Sequence, residues 1–232
     1  MAWLAHIDLL KFVILNNWGS ALIMEDDIDW SIDIRQQTRK IADAVRALTK
    51  QRKFAHPHAP YGLEWDVLWM GHCSDPPDAS KPFIVFEDET AIPLDLYRGL
   101  NRHITTLLQE NQRSVHHSIN PVCTFAYAVS AAGARKVLHL ASQGKGGAFD
   151  LMMMHACQNG TLDCISVNPE IFDPYHPAGG DESEVGSGDR TGQTFKSKIT
   201  GAVMGHTDNI LNSARCMAQF QTTCFQNGTA PH

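Results

Sequence analysis

Hydrophobic residues recur at helical spacing in several stretches of the chain. In residues 3–16 and 31–50 they fall three, four or seven positions apart with polar residues between them, as in an amphipathic helix. The positions that carry this pattern are Leu4, Ile7, Leu10, Ile14, Ile34, Ile41, Val45 and Leu48. Ser130 precedes a third helix as its N-cap, and residues 149–157 indicate a fourth. A further short helix is predicted near residues 208–217.

Short continuous apolar runs lie between these helices and are bounded by turn residues, which is typical of buried strands. They occupy residues 20–24, 65–70, 83–86, 123–129 and 164–167. Trp65 and Trp69 are expected on one face of their strand, packed in the core. Residues 94–120 are polar and poorly periodic, so they predict a mixture of helix and loop. Strands that alternate with helices indicate an α/β fold with a mostly parallel or mixed sheet.

The sequence changes character beyond Pro169. Residues 179–192 are rich in Gly, Ser and Asp and cannot bury a core. We therefore expect one domain over residues 1–176, followed over residues 177–232 by a mobile loop or tail that contains the short helix. The length of 232 residues is that of one compact domain.

The charge balance argues against a nucleic-acid partner. The chain has 19 basic and 25 acidic residues and a formal net charge of −6, and its basic run over residues 35–53 fits the solvated side of a helix. No stretch approaches the roughly 18–20 apolar residues that a transmembrane helix needs. His6, Asp8 and Lys11 interrupt the first apolar run, which therefore predicts an amphipathic helix instead of a signal peptide.

The cysteines leave the redox compartment open. Six cysteines are too sparse for a disulfide scaffold and lack the CxxC spacing of a zinc site. Cys157 and Cys164 flank a predicted turn and are either bridged, as in a secreted protein, or buried free thiols. Asn159-Gly160-Thr161 and Asn227-Gly228-Thr229 are glycosylation sequons. They favour the secretory pathway and the Golgi lumen over the alternative, the cytoplasm.

Four acids fall within five residues directly after the first predicted strand. We call the first three, Glu25, Asp26 and Asp27, the acidic block; the fourth is Asp29. Ligands of open α/β sheets bind at the carboxyl ends of strands, where this block lies. Neighbouring carboxylates repel one another unless a cation holds them, and oxygen ligands suit Mg²⁺ or Mn²⁺ shared with substrate phosphates. The block therefore indicates a metal site; alternatively, its acids only favour the dipole of the helix that follows.

Several further segments occur in a recognisable order after the acidic block, which lies within residues 20–30. These segments are residues 65–73, 123–130 with 133–136, Phe149-Asp150, and 167–172 with His176. Together they resemble glycosyltransferase family 25, the lipopolysaccharide-type and collagen-galactosyltransferase-like group, in its fungal branch. The resemblance covers roughly residues 3–176 and, weakly, residues 207–215.

This resemblance implies a GT-A-like nucleotide-sugar fold with a mixed sheet and a divalent metal, manganese or magnesium. Glu25, Asp26 and Asp27 would surround the metal and the donor diphosphate. The metal ligands would be Glu25, Asp27 and His176, and Asp150 would be the general base for the acceptor hydroxyl. From the residues alone, Asp150 could equally cap its helix, and His176, between two prolines, could be an ordinary loop residue.

The resemblance implies transfer of a hexose from a nucleotide-sugar donor to a hydroxyl of a glycan or protein acceptor. UDP-hexose is the favoured donor. Family members have a strand, a helix and a strand before the position of Trp3, so we expect this chain to lack its first strands. The alternative is a catalytically inactive sugar- or protein-binding module of the same fold. A third hypothesis is a metal-dependent phosphohydrolase, because Asp27-Ile28-Asp29 has Asp-x-Asp spacing.

Overall fold

The computed structural model describes residues 2–50, 59–100, 103, 106–144, 147–178 and 204–225. Its helices are α1 (Ala2–Leu15), α2 (Ile34–Leu48), α3 (Ala131–Ser142), α4 (Phe149–Gln158) and α5 (Ala214–Phe220). Its strands are β1 (Ser20–Met24), β2 (Ile28–Trp30), β3 (Val67–Gly71), β4 (Phe83–Glu87), β5 (Gln112–His117), β6 (Ala126–Ser130), β7 (Cys164–Asn168), β8 (Phe172–His176) and β9 (His206–Thr207). The four predicted longer helices are all present, and α3 begins after Ser130, whose hydroxyl accepts from the Gly133 N–H as expected of an N-cap.

The described strands form two sheets. The larger sheet has the order β1-β6-β3-β7-β5-β4 and contains both parallel and antiparallel pairs. The central pair β3–β7 is parallel, whereas β1–β6, β3–β6, β5–β7 and β4–β5 are antiparallel. The smaller sheet, β2-β8-β9, is antiparallel. The prediction of a mixed sheet flanked by helices is therefore confirmed.

Side chains of the central strand β3 alternate between two hydrophobic cores. Val67 and Trp69 pack in the core that α1, α3 and α4 cover, and Leu68 and Met70 pack in the core that α2 covers. Trp65 lies in the α2 core, so the prediction that it shares a face with Trp69 is wrong. It precedes β3 by two residues, where the regular alternation of a strand has not begun. Both tryptophans are nevertheless buried, as predicted.

Four strands, β2, β5, β8 and β9, occupy segments in which no strand was predicted, and β5 and β8 are the longer two. β5 lies within residues 94–120 and is an interior strand of the larger sheet. Its buried residues include Arg113, Ser114 and His116, so its sequence does not show the apolar pattern of a buried strand. β8 contains Pro174, which pairs opposite Ile28 and cannot donate a backbone hydrogen bond. β5 lacks an apolar pattern because partners elsewhere in the fold satisfy its buried polar groups, as Asp88 does for Arg113, whereas β8 is masked by its proline.

All six cysteines are paired, in the disulfides Cys73–Cys123, Cys157–Cys164 and Cys216–Cys224. Their Cα atoms lie 5.5 to 5.7 Å apart, within the normal range for disulfides. Of the two alternatives left open for Cys157 and Cys164, the structure therefore has the bridge.

Residues 204–225, which we call the C-terminal segment, pack against the domain. β9 adds a strand to β8, and α5 begins after Ser213, whose hydroxyl accepts from the Cys216 N–H at 2.9 Å. The short helix is thus present, and it overlaps the second half of the predicted range, 208–217, and ends three residues beyond it. Residues 179–203 and 226–232 lie outside the described residues, and with them the predicted mobile stretch and the sequon at Asn227.

Candidate functional site

The acidic block lies where the two sheets meet, because it connects β1 of the larger sheet to β2 of the smaller one. At one end the Glu25 N–H donates to the Phe125 carbonyl at 3.0 Å. At the other end the Tyr175 N–H donates to the Asp27 carbonyl at 2.9 Å. Backbone bonds therefore fix both ends of the block, while Glu25 is half-buried and Asp26 and Asp27 are exposed.

The carboxyl groups of this region act on one another. Burial raises the pKa of Glu25 above its ordinary value, and a hydrogen bond from Thr124 opposes that shift. Three nearby carboxylates raise the pKa further: those of Asp27, Asp150 and Asp26. Four acids therefore share one electrostatic environment, and a cation bound among them would relieve their repulsion.

A chain of hydrogen bonds leads from the interior to Glu25. The Thr124 hydroxyl donates to Glu25 Oε1 at 2.7 Å. Because that hydroxyl has one proton to give, Thr124 Oγ1 accepts from His6 Nε2 at 3.3 Å, and His6 Nδ1 accepts from the Tyr127 hydroxyl at 3.1 Å. The His6 ring also stacks on Phe149, with centroids 4.6 Å apart. Side chains from α1, β6 and α4 thus jointly orient the Glu25 carboxylate.

His6 is a neutral member of this chain. Burial lowers the pKa of its imidazole, and the negative charge of Asp150 only partly offsets that effect. A neutral ring has one donating and one accepting nitrogen, which is what the bonds to Thr124 and Tyr127 require.

Asp150 lies in the first turn of α4, near the acidic block. It is not the N-cap, which is Ala148, so the helix-cap alternative does not hold in its simple form. Its Oδ2 accepts from the Cys123 N–H at 3.0 Å and its Oδ1 accepts from the Leu151 N–H at 2.8 Å. The predicted general base therefore also ties the loop before β6 to α4, and the Cys73–Cys123 disulfide anchors the same loop.

His176 lies on β8 and not in a loop. Its ring stacks on that of His206 in β9, with centroids 4.8 Å apart. It follows Tyr175, whose N–H binds Asp27, so the end of β8 borders the acidic block. Within the ranges given above, however, no three His, Cys, Asp or Glu side chains come together as a metal-holding group. The predicted ligands Glu25, Asp27 and His176 border one region without converging on a single point.

Asp29 is separated from the acidic block by its burial. Its side chain is 2% exposed, and its Oδ1 accepts from the backbone N–H groups of Trp30 and Arg215 at 2.8 and 3.2 Å. Its Oδ2 accepts from the Ser213 hydroxyl. The carboxylate holds α5 onto β2, so the Asp-x-Asp pair does not present two available carboxylates, as a phosphohydrolase site would require.

Four side chains of this region were not predicted from the sequence. They are His6, Thr124, Tyr127 and His206. The available signal for His6 was its position four residues before Leu10 on the buried side of α1. The other three residues gave no signal in the sequence, because their roles depend on contacts between segments more than 25 residues apart. Thr124 and Glu25, for example, are separated by 99 residues.

Comparison of the chain with protein-family models and with curated proteins finds no match. Among the helices that the structure describes, none is both long enough and apolar enough to cross a membrane.

Proposed function

We propose that the chain is a glycosyltransferase-like protein of the family-25 type, which transfers a hexose from a nucleotide sugar to a hydroxyl acceptor with the help of a divalent metal. The observation that carries this proposal is the group formed by the acidic block, at the carboxyl end of β1, and Asp150 of α4, in which three carboxylates raise the pKa of Glu25. A nucleotide sugar brings a diphosphate, which such a group can bind only with a cation between them. The ordered sequence segments that resemble the family support the same function.

The carboxylates of the acidic block suit Mg²⁺ or Mn²⁺. These ions prefer oxygen ligands, and Mg²⁺ usually takes one or two protein carboxylates and completes its shell with substrate phosphates and water. Such binding needs no preformed group of three side chains. Glu25 and Asp27 would be the two carboxylate ligands and Asp26 would face the diphosphate, while His176, which borders the same region without converging on them, would not be needed as a ligand. When bound, the ion would neutralise charge on the departing diphosphate.

The protein's own residues would position and deprotonate the acceptor. The acceptor oxygen forms a bond to the anomeric carbon of the hexose while the bond from that carbon to the diphosphate breaks, and the nucleoside diphosphate leaves with the bonding electrons. Asp150 would take the proton of the acceptor hydroxyl. The Cys123 N–H holds Asp150 in place, and the Thr124 hydroxyl does the same for Glu25.

One observation favours the second candidate, a catalytically inactive sugar- or protein-binding module. Both oxygens of Asp150 already accept backbone N–H bonds, so this carboxylate has a structural role whether or not it acts as a base. A module of this kind would keep the fold and the loop anchor without binding the donor. Donor affinity therefore separates the two candidates.

The test is titration calorimetry of the folded chain with UDP and then GDP, each with and without Mn²⁺. We expect nucleotide binding that requires Mn²⁺. The Asp27→Ala variant should abolish it, because it removes a metal ligand from the exposed end of the block. Asp43→Ala is the matched control, since it removes an exposed carboxylate from α2, and it should bind as the wild type does.

Circular dichroism of each variant shows whether the fold is kept. Unchanged Mn²⁺-dependent binding by the Asp27→Ala variant would show that the acidic block is not part of the nucleotide site. Absence of binding by folded wild-type protein would favour the inactive module. Where binding is found, hexose transfer from UDP-sugars to glycan and protein hydroxyls is the next measurement.

A further inference from the structure

The turn after α4 presents a complete glycosylation sequon at the surface. Asn159, Gly160 and Thr161 are all exposed. Asn159 is the C-cap of α4, and Gly160 adopts a φ of +74°, which a glycine takes without strain. The sequon therefore lies at a tight, accessible turn and not within a helix or strand.

The side chains of the sequon are already arranged around the amide of Asn159. The Asn159 Oδ1 atom accepts from the Thr161 N–H at 3.0 Å and from the Thr161 hydroxyl at 2.6 Å. Neither bond uses Nδ2, the atom to which an N-linked glycan is attached. The disulfide Cys157–Cys164 closes the loop that carries the turn, and the buried Leu162 anchors it next to Thr161.

The disulfides independently indicate the compartment in which such a site is used. The structure pairs every cysteine of the chain, in three bridges. Disulfides persist in the secretory pathway and outside the cell, whereas cytosolic reductants keep thiols reduced. In a eukaryotic cell, the compartment in which a chain acquires such bridges also contains the enzymes that glycosylate sequons.

We propose that Asn159 is an N-glycosylation site of this protein. The donor is an oligosaccharide linked to a lipid diphosphate. Nδ2 of Asn159 forms a bond to the anomeric carbon of the first sugar, the bond from that carbon to the diphosphate breaks, and the lipid diphosphate leaves with the bonding electrons. The proton that Nδ2 loses passes to a base of the glycosylating enzyme.

A glycan at Asn159 would lie away from the acidic block. α4 has 10 residues, with Asp150 in its first turn and Asn159 directly after its last residue. At about 1.5 Å per residue, roughly 13 Å of helix separates them. The modification therefore does not depend on the proposed transferase activity, and Mn²⁺-dependent nucleotide binding should be unaffected by it.

The test uses the full chain expressed behind a cleavable secretion leader in a eukaryotic host, together with the endogenous protein immunopurified from its source cells. Each sample is treated with peptide N-glycosidase in heavy-oxygen water, which marks a formerly glycosylated asparagine as labelled aspartate in the peptide mass spectrum. We expect this label at position 159 in both samples. A thiol count under denaturing conditions should find no free cysteine.

Two substitutions at one position provide the matched pair. Thr161→Ala removes the sequon but keeps Asn159, and should abolish the label at position 159; Thr161→Ser keeps a hydroxyl and should retain it. Asn227→Gln prevents a glycan at the second sequon from being mistaken for one at the first. An unlabelled Asn159 in endogenous protein whose cysteines are all paired would overturn the proposal, as would six free thiols in that protein.

Discussion

The buried acid Glu170 provides the sharpest test of the electrostatics of this fold. It is 2% exposed, and its carboxyl group accepts hydrogen bonds from the Tyr97 hydroxyl at 3.1 Å and from Asn209 Nδ2 at 2.7 Å. Burial raises the pKa of Glu170 to about 7, although these bonds and the positive charge of Arg113 oppose the shift. We predict that Glu170→Gln, which cannot ionise, stabilises the protein at alkaline pH relative to the wild type.

The sign and size follow from proton linkage. Between the ordinary pKa of 4.5 and the folded value of about 7, folded protein binds more protons at Glu170 than unfolded protein does. The free energy of unfolding therefore falls as the pH rises through this window, by about 1.4 kcal/mol per pH unit. Above the folded pKa of Glu170, the wild type has lost about 3 kcal/mol of its free energy of unfolding through this group. Below the unfolded pKa it has lost none.

A neighbouring acid adds to this effect in the same direction. Burial raises the pKa of Asp173 well above its ordinary value, and the negative charge of Glu170 raises it further. The Gln variant removes that repulsion, so it also lessens the cost of ionising Asp173. In the Gln variant the amide oxygen can still accept from Asn209, and the amide NH2 can donate to the Tyr97 oxygen in place of the bond that Tyr97 donates in the wild type.

The assay is urea unfolding under non-reducing conditions, followed by the fluorescence of the buried Trp65 and Trp69, from pH 4.5 to about pH 8. The measured quantity is the difference in free energy of unfolding between Glu170→Gln and the wild type at each pH. It should shift by about 3 kcal/mol in favour of the variant across this range. Glu64→Gln is the control, because Glu64 is exposed, and its difference should stay flat.

A pH-independent difference for Glu170→Gln would refute this reasoning, because it would mean that Glu170 titrates alike in folded and unfolded protein. A difference that grows in favour of the wild type as the pH rises would also refute it, since the Glu170 carboxylate would then be stabilised by its surroundings.

Three further substitutions test the packing and the site. Thr124→Val, but not Thr124→Ser, should weaken Mn²⁺-dependent UDP binding about tenfold in calorimetry, because it removes a charge-assisted hydrogen bond to the acidic block. Gly133→Ala should destabilise the protein by at least about 1–3 kcal/mol in urea unfolding, because its Cβ would overlap the Asp66 carbonyl. Replacing Cys73 and Cys123 by alanine should cost about 4 kcal/mol for their separation of 50 residues, more than either shorter bridge, as thermal unfolding would show.

Elements that bury an apolar stripe could be predicted from the sequence. α2 is the clearest case, because Ile41, Val45 and Leu48 are all buried against the larger sheet. β7 likewise shows as a short apolar run and is buried throughout. The apolar run of β1 also predicted a buried strand, which is wrong: β1 is an edge strand of the larger sheet, and one of its five residues is buried. β5 could not be predicted this way, because it buries charge instead: Arg113 pairs with Asp88 at 2.7 Å, across a sequence separation of 25 residues. The local sequence pattern around Arg113 does not show that Asp88 is its partner.

The candidate site divides in the same way. The position of the acidic block after a strand followed from local sequence, and the structure has β1 ending at Met24, one residue before Glu25. The support of that carboxylate did not follow, because Thr124 binds it and His6 in turn binds Thr124, from a segment 118 residues away. Spacing in the sequence carries no information about such a contact, which depends on how α1 packs beside β6.

Asp27 and Asp29 show why residue type alone does not define a site. They are the same amino acid, two positions apart, and are indistinguishable in a motif. Asp29 is buried, and its carboxylate accepts hydrogen bonds from three donors of the chain itself. Two of these donors belong to the C-terminal segment, which the carboxylate therefore holds in place. Asp27 is exposed and adds to the repulsion at Glu25. Only a carboxylate of the second kind has binding capacity left for a ligand from solution, and burial, which the sequence does not show directly, decides between the two.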